Sequence, residues 1–220
     1  MTVIAHIEND LETKFGVPRQ SGLVDEVESR IVFEPDYRTP EALRGLEGFS
    51  HIWLLWDFSE AHREEWSPTV RPPRLGGNRR MGVFATRSPF RPNPIGLSSV
   101  RITRIELNTP QGPVIYVAGA DLMNGTPILD IKPYLPHVDC HPEATAGFAE
   151  ETARQEPLEV VGLEQLSSRL DTRQLEALRG ILAGDPRPHY HEDPTRIYGM
   201  RYAGLDIKFT VNENKLTIRE

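Results

Sequence analysis

The chain has 220 residues, of which 38% are apolar and 26% are charged, and its net charge is −7, a composition typical of a soluble globular protein and not of a collagen or a coiled coil. Its single cysteine, Cys140, excludes an internal disulfide and suits a reducing compartment, so we expect a cytoplasmic protein. No apolar run approaches the roughly 20 residues of a membrane span, and we expect neither a secretory signal nor a membrane partner.

The sequence pattern predicts four elements in the first 60 residues. Residues 2–8 alternate as a strand, and residues 23–33 mix apolar and charged side chains, as a half-buried strand or hairpin does. Thr39 and Pro40 predict the start of a short helix that ends near residue 45 or 48. The nearly continuous apolar run over 49–58 predicts a buried strand.

The middle of the chain predicts several further strands and two irregular loops. Residues 66–80 have no periodicity and form a long loop, residues 81–86 a short strand, and the three prolines of 88–94 exclude a helix or a central strand. Strands follow over 96–107, 114–122 and 128–131, with a turn at Asn124-Gly125. Many strands without intervening long helices favour an antiparallel barrel or sandwich.

The composition changes after residue 142. Residues 144–153 are small and polar, as in a linker, and Asp171 to Gln174 match a capping box that opens a helix ending at Gly184. Residues 196–217 predict two strands joined at 212–214. The predicted fold is therefore mainly β, with an antiparallel β-barrel body over residues 1–142 and a small α+β domain over residues 155–220.

Basic residues cluster in one segment of this acidic chain. Residues 63–104 hold nine arginines and two acids, a net charge of +7, whereas the rest of the chain carries 16 basic and 30 acidic side chains. An arginine guanidinium presents a planar fork to phosphate or carboxylate and stacks on bases. A local arginine cluster on an acidic protein predicts a polyanion site, although a general preference for Arg over Lys is an alternative reason for the composition.

Three stretches concentrate polar chemistry on stiff backbone: residues 17–20, 71–96 and 121–134. Prolines fix the backbone, so donors on such loops lose little entropy when a ligand binds. Gly125 and Thr126 offer backbone groups at close range to a ligand. These stretches are the predicted binding surfaces.

Four charged residues in these stretches are the strongest individual candidates. Arg87 and Arg91 lie four residues apart and can present two forks to one anionic ligand, and Asp130 and Lys132 share one face of a strand. The structural alternative for these stretches is a set of turn prolines, an Asx turn at Asn93 and a buried Asp130–Lys132 pair.

Common cofactor motifs are missing from the sequence. There is no Gly-x-Gly-x-x-Gly between a strand and a helix, no Walker loop and no Gly-x-Ser-x-Gly elbow. The run from His137 to His141 holds three metal donors, but three donors within five residues rarely close one tetrahedron. We therefore expect no metal site.

The chain resembles a known family in five segments: Gly48–Trp53, Arg71–Asn78, Met81–Gly96, Asp121–Pro136 and Asp185–Tyr190. These segments are similar to those of the TsaA-like (TrmO) tRNA methyltransferases, and the last is similar to the C-terminal signature of the bacterial members. The resemblance covers nearly the whole chain. It implies a homodimeric, S-adenosylmethionine-dependent enzyme on a β-barrel, with the cofactor close to the subunit interface, that methylates N6 of threonylcarbamoyladenosine beside the anticodon of threonine-decoding tRNAs.

The resemblance also implies which residues bind the cofactor. Bacterial members often carry His-Gln where this chain has Ser59-Glu60, which replaces a donor pair by a hydroxyl and an acid. The implied cofactor-binding residues are Pro18, Arg19, Gln20, Ser59, Glu60, Arg87, Gly96, Leu97, Asp121, Leu122, Asn124, Gly125 and Thr126.

Residue chemistry predicts the remaining roles. Methyl transfer to N6 requires a base or an orienting group, and the candidate is Asp130, with Lys132 or Tyr134 stabilising charge on the carbamoyl oxygen. The predicted substrate-binding residues are Arg71, Arg74, Arg91 and Asn93, of which the last two would grip the threonyl carboxylate. The alternatives are a non-enzymatic RNA-binding module that uses the same Arg-Pro loops, and a small-molecule methyltransferase on the same barrel.

Overall fold

The computed structural model describes residues 1–72, 79–150, 156–187 and 193–219. Within these ranges the chain forms a closed barrel, a four-stranded sheet and a two-stranded ribbon. The strands are β1 (Ala5–Glu8), β2 (Glu28–Phe33), β3 (His51–Asp57), β4 (Thr69–Val70), β5 (Met81–Gly82), β6 (Ile95–Thr109), β7 (Gly112–Ala118), β8 (Pro127–Pro133), β9 (Glu159–Val161), β10 (Tyr198–Tyr202), β11 (Leu205–Asn212) and β12 (Lys215–Arg219). The α-helices are α1 (Pro136–Asp139) and α2 (Thr172–Ala183). The predicted mainly β fold is confirmed.

The barrel closes six strands in the order β1-β2-β7-β6-β3-β8, and every pairing is antiparallel. Alternate side chains point inward, and the fully buried ones include Ile7, Ile31, Ile52, Leu54, Ile115 and Ile128. Closure removes the unpaired strand edges, and so few strands enclose only enough space for their own side chains. A ligand site must therefore lie on the rim or the outer face.

The C-terminal sheet has the order β10-β11-β12-β9 and packs on α2. This helix begins with the predicted capping box, since Asp171 Oδ1 accepts from the Gln174 amide at 2.8 Å and Gln174 Oε1 accepts from the Asp171 amide at 3.1 Å. Leu178, Ile181 and Leu182 are buried against the sheet. The helix ends at Ala183 with Gly184 as its C-cap, as the sequence predicts.

Several predicted elements differ in the structure. Residues 198–219 form three strands instead of two, because an additional tight turn at Ala203-Gly204 has φ of +49° and +76°. The predicted strand over 81–86 stops at Gly82, where a 3-10 turn over Val83–Ala85 begins. The strand predicted over 114–122 stops at Ala118, because Gly119 has a φ of +75°.

The segment between β1 and β2 contacts both the barrel and the C-terminal sheet. Leu11, Val24 and Val27 are buried in the core of the C-terminal sheet, not in the barrel. The Ala203 amide donates to the Asp10 carbonyl at 3.1 Å. Residues 17–20 therefore lie on a loop that is fixed on one side by the barrel and on the other by the C-terminal sheet.

Candidate functional site

A cavity of about 650 Å³ lies at the rim of the barrel. Four chain segments meet there: the loop after β1, the end of β3 with the turn that follows it, the proline-rich loop that leads into β6, and the loop after β7. The sequence-predicted residues that line it are Pro18, Arg19, Gln20, Ser59, Glu60, Arg87, Arg91, Asn93, Gly96, Leu97, Asp121 and Thr126. We call this cavity the rim pocket.

The structure places other predicted binding residues elsewhere. Leu122 is fully buried in the barrel core. Asn124 and Gly125 line a second cavity, which His6, Ile7 and Glu8 of β1 also line. Arg71 is exposed outside the rim pocket, and Arg74 lies outside the described residues.

The second cavity, of about 780 Å³, is lined by charged side chains that neutralise one another. Arg30 pairs with Glu8, and Arg173 Nη1 lies 2.6 Å from Glu28 Oε1. These pairs satisfy the charges within the protein, and the cavity has no cluster of one sign to attract an ion. The rim pocket is the better candidate site.

Gly96 is required at the floor of the rim pocket. A Cβ at this position would lie 2.1 Å from the indole ring of Trp56, far inside contact distance. The indole Nε1 donates to Ser98 Oγ at 3.0 Å, and that hydroxyl donates to Asp121 Oδ1 at 2.5 Å. Only glycine lets the ring lie flat on β6 and start this chain of hydrogen bonds towards the pocket wall.

Asp121 lines the rim pocket, and its carboxyl has a shifted pKa. Burial raises the pKa of the Asp121 carboxyl above its ordinary value of 3.8, because the charged form is poorly solvated there. Hydrogen bonds from Ser98 and from backbone amides, together with the positive charge of Arg87, oppose the shift. A carboxylate in this environment is available to a positively charged ligand.

Two arginines that line the rim pocket are held by specific partners. Arg19 Nη2 donates to the carbonyl oxygens of Asp185 and Arg187, at 2.7 and 3.1 Å. Arg87 donates through Nη1 to Gln20 Oε1. The first contact means that Asp185 and Arg187, which belong to the segment similar to the C-terminal signature, position a pocket residue that lies 166 and 168 positions away in the sequence.

Arg91 is braced by its own loop. Its Nη1 donates to the carbonyl oxygens of Thr86 and Ser88, at 3.0 and 3.2 Å. The loop is further pinned where the Phe58 amide donates to the Pro94 carbonyl at 2.9 Å. The proline-rich loop is therefore a rigid wall of the pocket. It holds the Arg91 guanidinium through Nη1, and the other guanidinium nitrogens remain as donors for a ligand.

Ser59 and Glu60 lie in a 3-10 turn directly after β3. Glu60 pairs with Lys14, whose Nζ lies 3.2 Å from Glu60 Oε2 and also donates to the Glu60 carbonyl at 2.9 Å. Sequence analysis did not single out Lys14, because it is an isolated lysine in a loop. Its contact with Glu60 closes one side of the pocket.

Of the three predicted catalytic residues, Asp130 and Lys132 lie on the outer face of β8 and Tyr134 directly follows this strand, and none of them lines the rim pocket. Lys132 Nζ and Asp130 Oδ2 are 2.8 Å apart, and this ion pair is largely exposed, not buried. In the sheet Lys132 lies opposite Trp53, which lines the pocket. The Tyr134 ring packs on Trp53 with centroids 5.4 Å apart, and loss of solvent contact raises the pKa of the Tyr134 hydroxyl.

Aromatic residues of the pocket were missed by sequence analysis. Trp53, Trp56 and Phe58 all line it, although the run over 49–58 predicts only a buried strand. Because β3 belongs to a closed barrel, its alternate residues face outward, and Trp53 is one of them. The residues of this run are apolar on both faces of the strand, so the sequence carries no signal that separates the outward-facing Trp53 from its buried neighbours.

Comparison with known proteins shows the family to which the chain is related. Two family models match the chain, the tRNA-methyltransferase O N-terminal domain over residues 6–140 and the TrmO C-terminal domain over residues 147–220. A tRNA (adenine(37)-N6)-methyltransferase of Escherichia coli K12 is 38% identical over 218 residues, which cover 96% of this chain and 92% of the relative. One from Eikenella corrodens is 46% identical over 171 residues, covering 77% of this chain and 95% of the relative.

A solved structure extends the similarity to the fold. The crystal structure of TrmO from Pseudomonas aeruginosa matches with a TM-score of 0.76 and 30% identity, and the match covers 100% of this chain and 98% of that one. Both family models and the whole-chain matches therefore lead to one conclusion: the chain belongs to the tRNA-methyltransferase O family.

Proposed function

We propose that this protein is an S-adenosylmethionine-dependent methyltransferase that methylates N6 of threonylcarbamoyladenosine beside the anticodon of threonine-decoding tRNAs. One observation carries the proposal: a single rim pocket combines fixed guanidinium groups, a half-buried carboxylate and aromatic rings. Its relatives are named as methyltransferases of adenine 37 in tRNA, which supports the reaction and the position.

The chemistry of the rim pocket fits S-adenosylmethionine. The cofactor carries a carboxylate, an ammonium, a sulfonium and a purine, and the pocket volume of about 650 Å³ is in the range of small-molecule sites. Arg19 and Arg87 supply donors for the carboxylate, and Asp121 supplies a counter-charge for the cationic groups. Phe58 and Leu97 supply apolar surface for the purine. When bound, the cofactor supplies an electrophilic methyl group.

The protein's own residues orient the nucleophile. The threonylcarbamoyl group makes the N6 proton more acidic, so positioning and a weak base are sufficient in this proposal. Arg91 and Asn93 lie on the rigid proline loop, where they would hold the threonyl carboxylate. As N6 gains the methyl group it loses a proton, and Asp130 is the proposed acceptor.

The outer face of β8 would complete the substrate site. Asp130, Lys132 and Tyr134 lie next to Trp53, on the side of it away from the rim pocket floor. A modified adenine lying over Trp53 would contact the pocket on one side and this row on the other. Lys132 or Tyr134 would then stabilise charge on the carbamoyl oxygen.

We further propose that the enzyme is a cytoplasmic homodimer. Leu97 lines the rim pocket and is still 56% exposed, so a second subunit would cover apolar surface beside the cofactor site. Among the helices that the structure describes, none has the length and apolar character to cross a membrane. Sedimentation at low concentration, with and without S-adenosylhomocysteine, measures the oligomeric state.

The direct test is mass spectrometry of nucleosides from threonine-decoding tRNA after incubation with labelled S-adenosylmethionine. The expected product is threonylcarbamoyladenosine with one labelled methyl group on N6. A thermal shift with S-adenosylhomocysteine accompanies it, since a ligand of the folded state raises the melting temperature. Failure of both would leave an RNA-binding module, and methylation of the free nucleoside at the same rate as tRNA would indicate a small-molecule enzyme.

The Asp130→Asn variant tests the base. It removes the charge and keeps the shape, so we expect kcat to fall by about 100-fold, the size typical of general base removal, while cofactor binding is unchanged. Asp206→Asn, on the exposed face of β11, is the matched control. Full methylation by a normally folded Asp130→Asn protein would remove Asp130 from the mechanism.

A further inference from the structure

Two large aromatic rings lie exposed near the rim pocket and contribute nothing to either hydrophobic core. Trp66 is 51% exposed and Phe84 is 72% exposed. Their ring centroids are 5.9 Å apart and their planes are inclined by 31°. We call these two residues the aromatic pair. Adjacent exposed aromatic side chains on a folded protein indicate a binding surface.

The aromatic pair is held on ordered backbone. Strands β4 and β5 form an antiparallel ribbon between the two residues, with Thr69 opposite Gly82. At the end of that ribbon the Val83 amide donates to the Pro68 carbonyl at 2.9 Å. The rings are therefore positioned before a ligand arrives, which lowers the entropy cost of binding.

The aromatic pair is continuous with the rim pocket along the chain. Phe84 lies two residues before Thr86, and Thr86 and Phe90 both line the pocket. The Phe90 ring is covered by Arg63, whose Cζ lies 3.5 Å from the ring centroid. A ligand that reaches from the rim pocket over this edge meets the aromatic pair next.

Charge identifies the occupant. The aromatic pair lies within the segment of residues 63–104, which carries a net charge of +7. Arg71, Arg79 and Arg80 are exposed in this segment. A two-fold contact centred on the aromatic pair would place the arginines nearby in the chain, Arg71, Arg79 and Arg80, against their own copies, which like-charge repulsion opposes. A polyanion with unstacked bases fits both the charge and the rings.

We propose that the aromatic pair is a stacking platform for an unpaired base of the tRNA anticodon loop, distinct from the adenine that is methylated. The proposal rests on the proposed function, because it takes tRNA as the substrate. The rim pocket holds the reacting nucleotide, the arginines contact phosphates, and the aromatic pair fixes a neighbouring base by its ring face, largely without regard to its identity.

Binding of an anticodon stem-loop RNA, measured by fluorescence anisotropy with S-adenosylhomocysteine present, tests the platform. Trp66→Ala is expected to weaken binding about tenfold, the effect typical of one lost base stack, whereas Trp66→Phe keeps a ring and stays near the wild-type affinity. The slope of log K against log salt is expected to stay unchanged, because stacking releases no counterions. Leu107→Ala, an exposed apolar residue at the far end of β6, is the control.

An abasic scan of the loop identifies the stacked base. Each unpaired base is removed in turn and the affinity for the wild-type protein is measured. At one position, removal of the base is expected to weaken binding about as much as Trp66→Ala does. Combining that abasic RNA with Trp66→Ala is expected to weaken binding no further. Additive losses at every position would overturn the platform, as would an equal loss of S-adenosylhomocysteine binding in Trp66→Ala, or a change of oligomeric state without weaker RNA binding. The assay involves no turnover, so absent methyl transfer would overturn only the proposed function.

Discussion

Asp121 is the residue at which the chemistry of the rim pocket is most open to measurement. Burial raises the pKa of its carboxyl above 3.8, so at mildly acidic pH the folded protein binds more protons here than the unfolded chain does. The contribution of this group to the free energy of unfolding therefore falls as the pH rises through the window above 3.8. A cationic ligand opposes the protonation of Asp121 in the folded protein, because its positive charge stabilises the ionised carboxylate.

We predict that the affinity for S-adenosylmethionine falls as the pH drops through the raised pKa of Asp121, while the affinity for S-adenosylhomocysteine, which lacks the sulfonium charge, changes less. Asp121→Asn retains the acceptor for Ser98 but not the charge. It is expected to weaken S-adenosylmethionine binding about tenfold at neutral pH and to abolish the pH dependence. Isothermal titration calorimetry measures both, with Asp206→Asn as the control. Parallel pH profiles for the two ligands would show that Asp121 does not face the sulfonium, because both ligands carry the ammonium.

Among the secondary-structure elements, the sequence predicted correctly those features that depend only on residues close together in the chain. The capping box at Asp171 and the apolar face of α2 are encoded within one helix, so both were read correctly from the sequence. The turn at Ala203-Gly204 was missed because an alanine with positive φ gives no compositional signal. The 3-10 turn over Val83–Ala85 was missed because its residues also suit a strand.

The rim pocket could be predicted only where its residues share a chain segment. The proline loop with Arg87 and the loop with Asp121 were identified, whereas Trp56 and Lys14 were not, because their roles depend on the closure of the barrel and on a contact across 46 residues. The assignments of individual cofactor-binding, substrate-binding and catalytic residues stay predictions, as does the domain boundary between residues 142 and 155. The rim pocket is formed by the barrel topology, which brings distant chain segments together, more than by any single sequence motif.

The turn after α2 is an element whose role is visible only in three dimensions. Arg187 binds Asp185 through two hydrogen bonds, at 2.8 and 2.9 Å, and their side chains are 14% and 16% exposed. This contact raises the pKa of Arg187 and fixes a backbone in which Asp185 has a φ of +48°. The carbonyl oxygens of both residues accept from Arg19, so the turn positions a wall of the rim pocket.

We predict that Arg187→Ala weakens S-adenosylhomocysteine binding about fivefold, because Arg19 loses its fixed acceptors, and lowers the free energy of unfolding by about 2 kcal/mol, the value typical of a charged hydrogen bond. The effects of Arg19→Ala and Arg187→Ala on binding should be less than additive in a double-mutant cycle. Arg179→Ala, on the exposed face of α2, is the matched control. Fully additive effects would mean that the turn does not act through Arg19.

For the whole molecule, the uneven charge distribution governs how a polyanion approaches. Residues 63–104 carry a net charge of +7, whereas the other residues carry a net charge of −14. The acidic remainder repels RNA and the arginine segment attracts it, so the field orients the substrate towards the side that holds the proline loop of the rim pocket. This electrostatic attraction acts on any RNA, so it does not select the substrate. Contacts with the bases must supply the specificity.

We predict that tRNA binding weakens steeply with added salt and that Arg80→Ala lowers the slope of log K against log salt by about 1, the change expected for one lost phosphate contact. Arg80 is exposed and outside the rim pocket lining, so S-adenosylhomocysteine binding should not change. Arg44→Ala, an exposed arginine outside the segment, should leave the slope as it is. A salt-independent affinity, or equal slopes for wild type and Arg80→Ala, would show that RNA approaches another face.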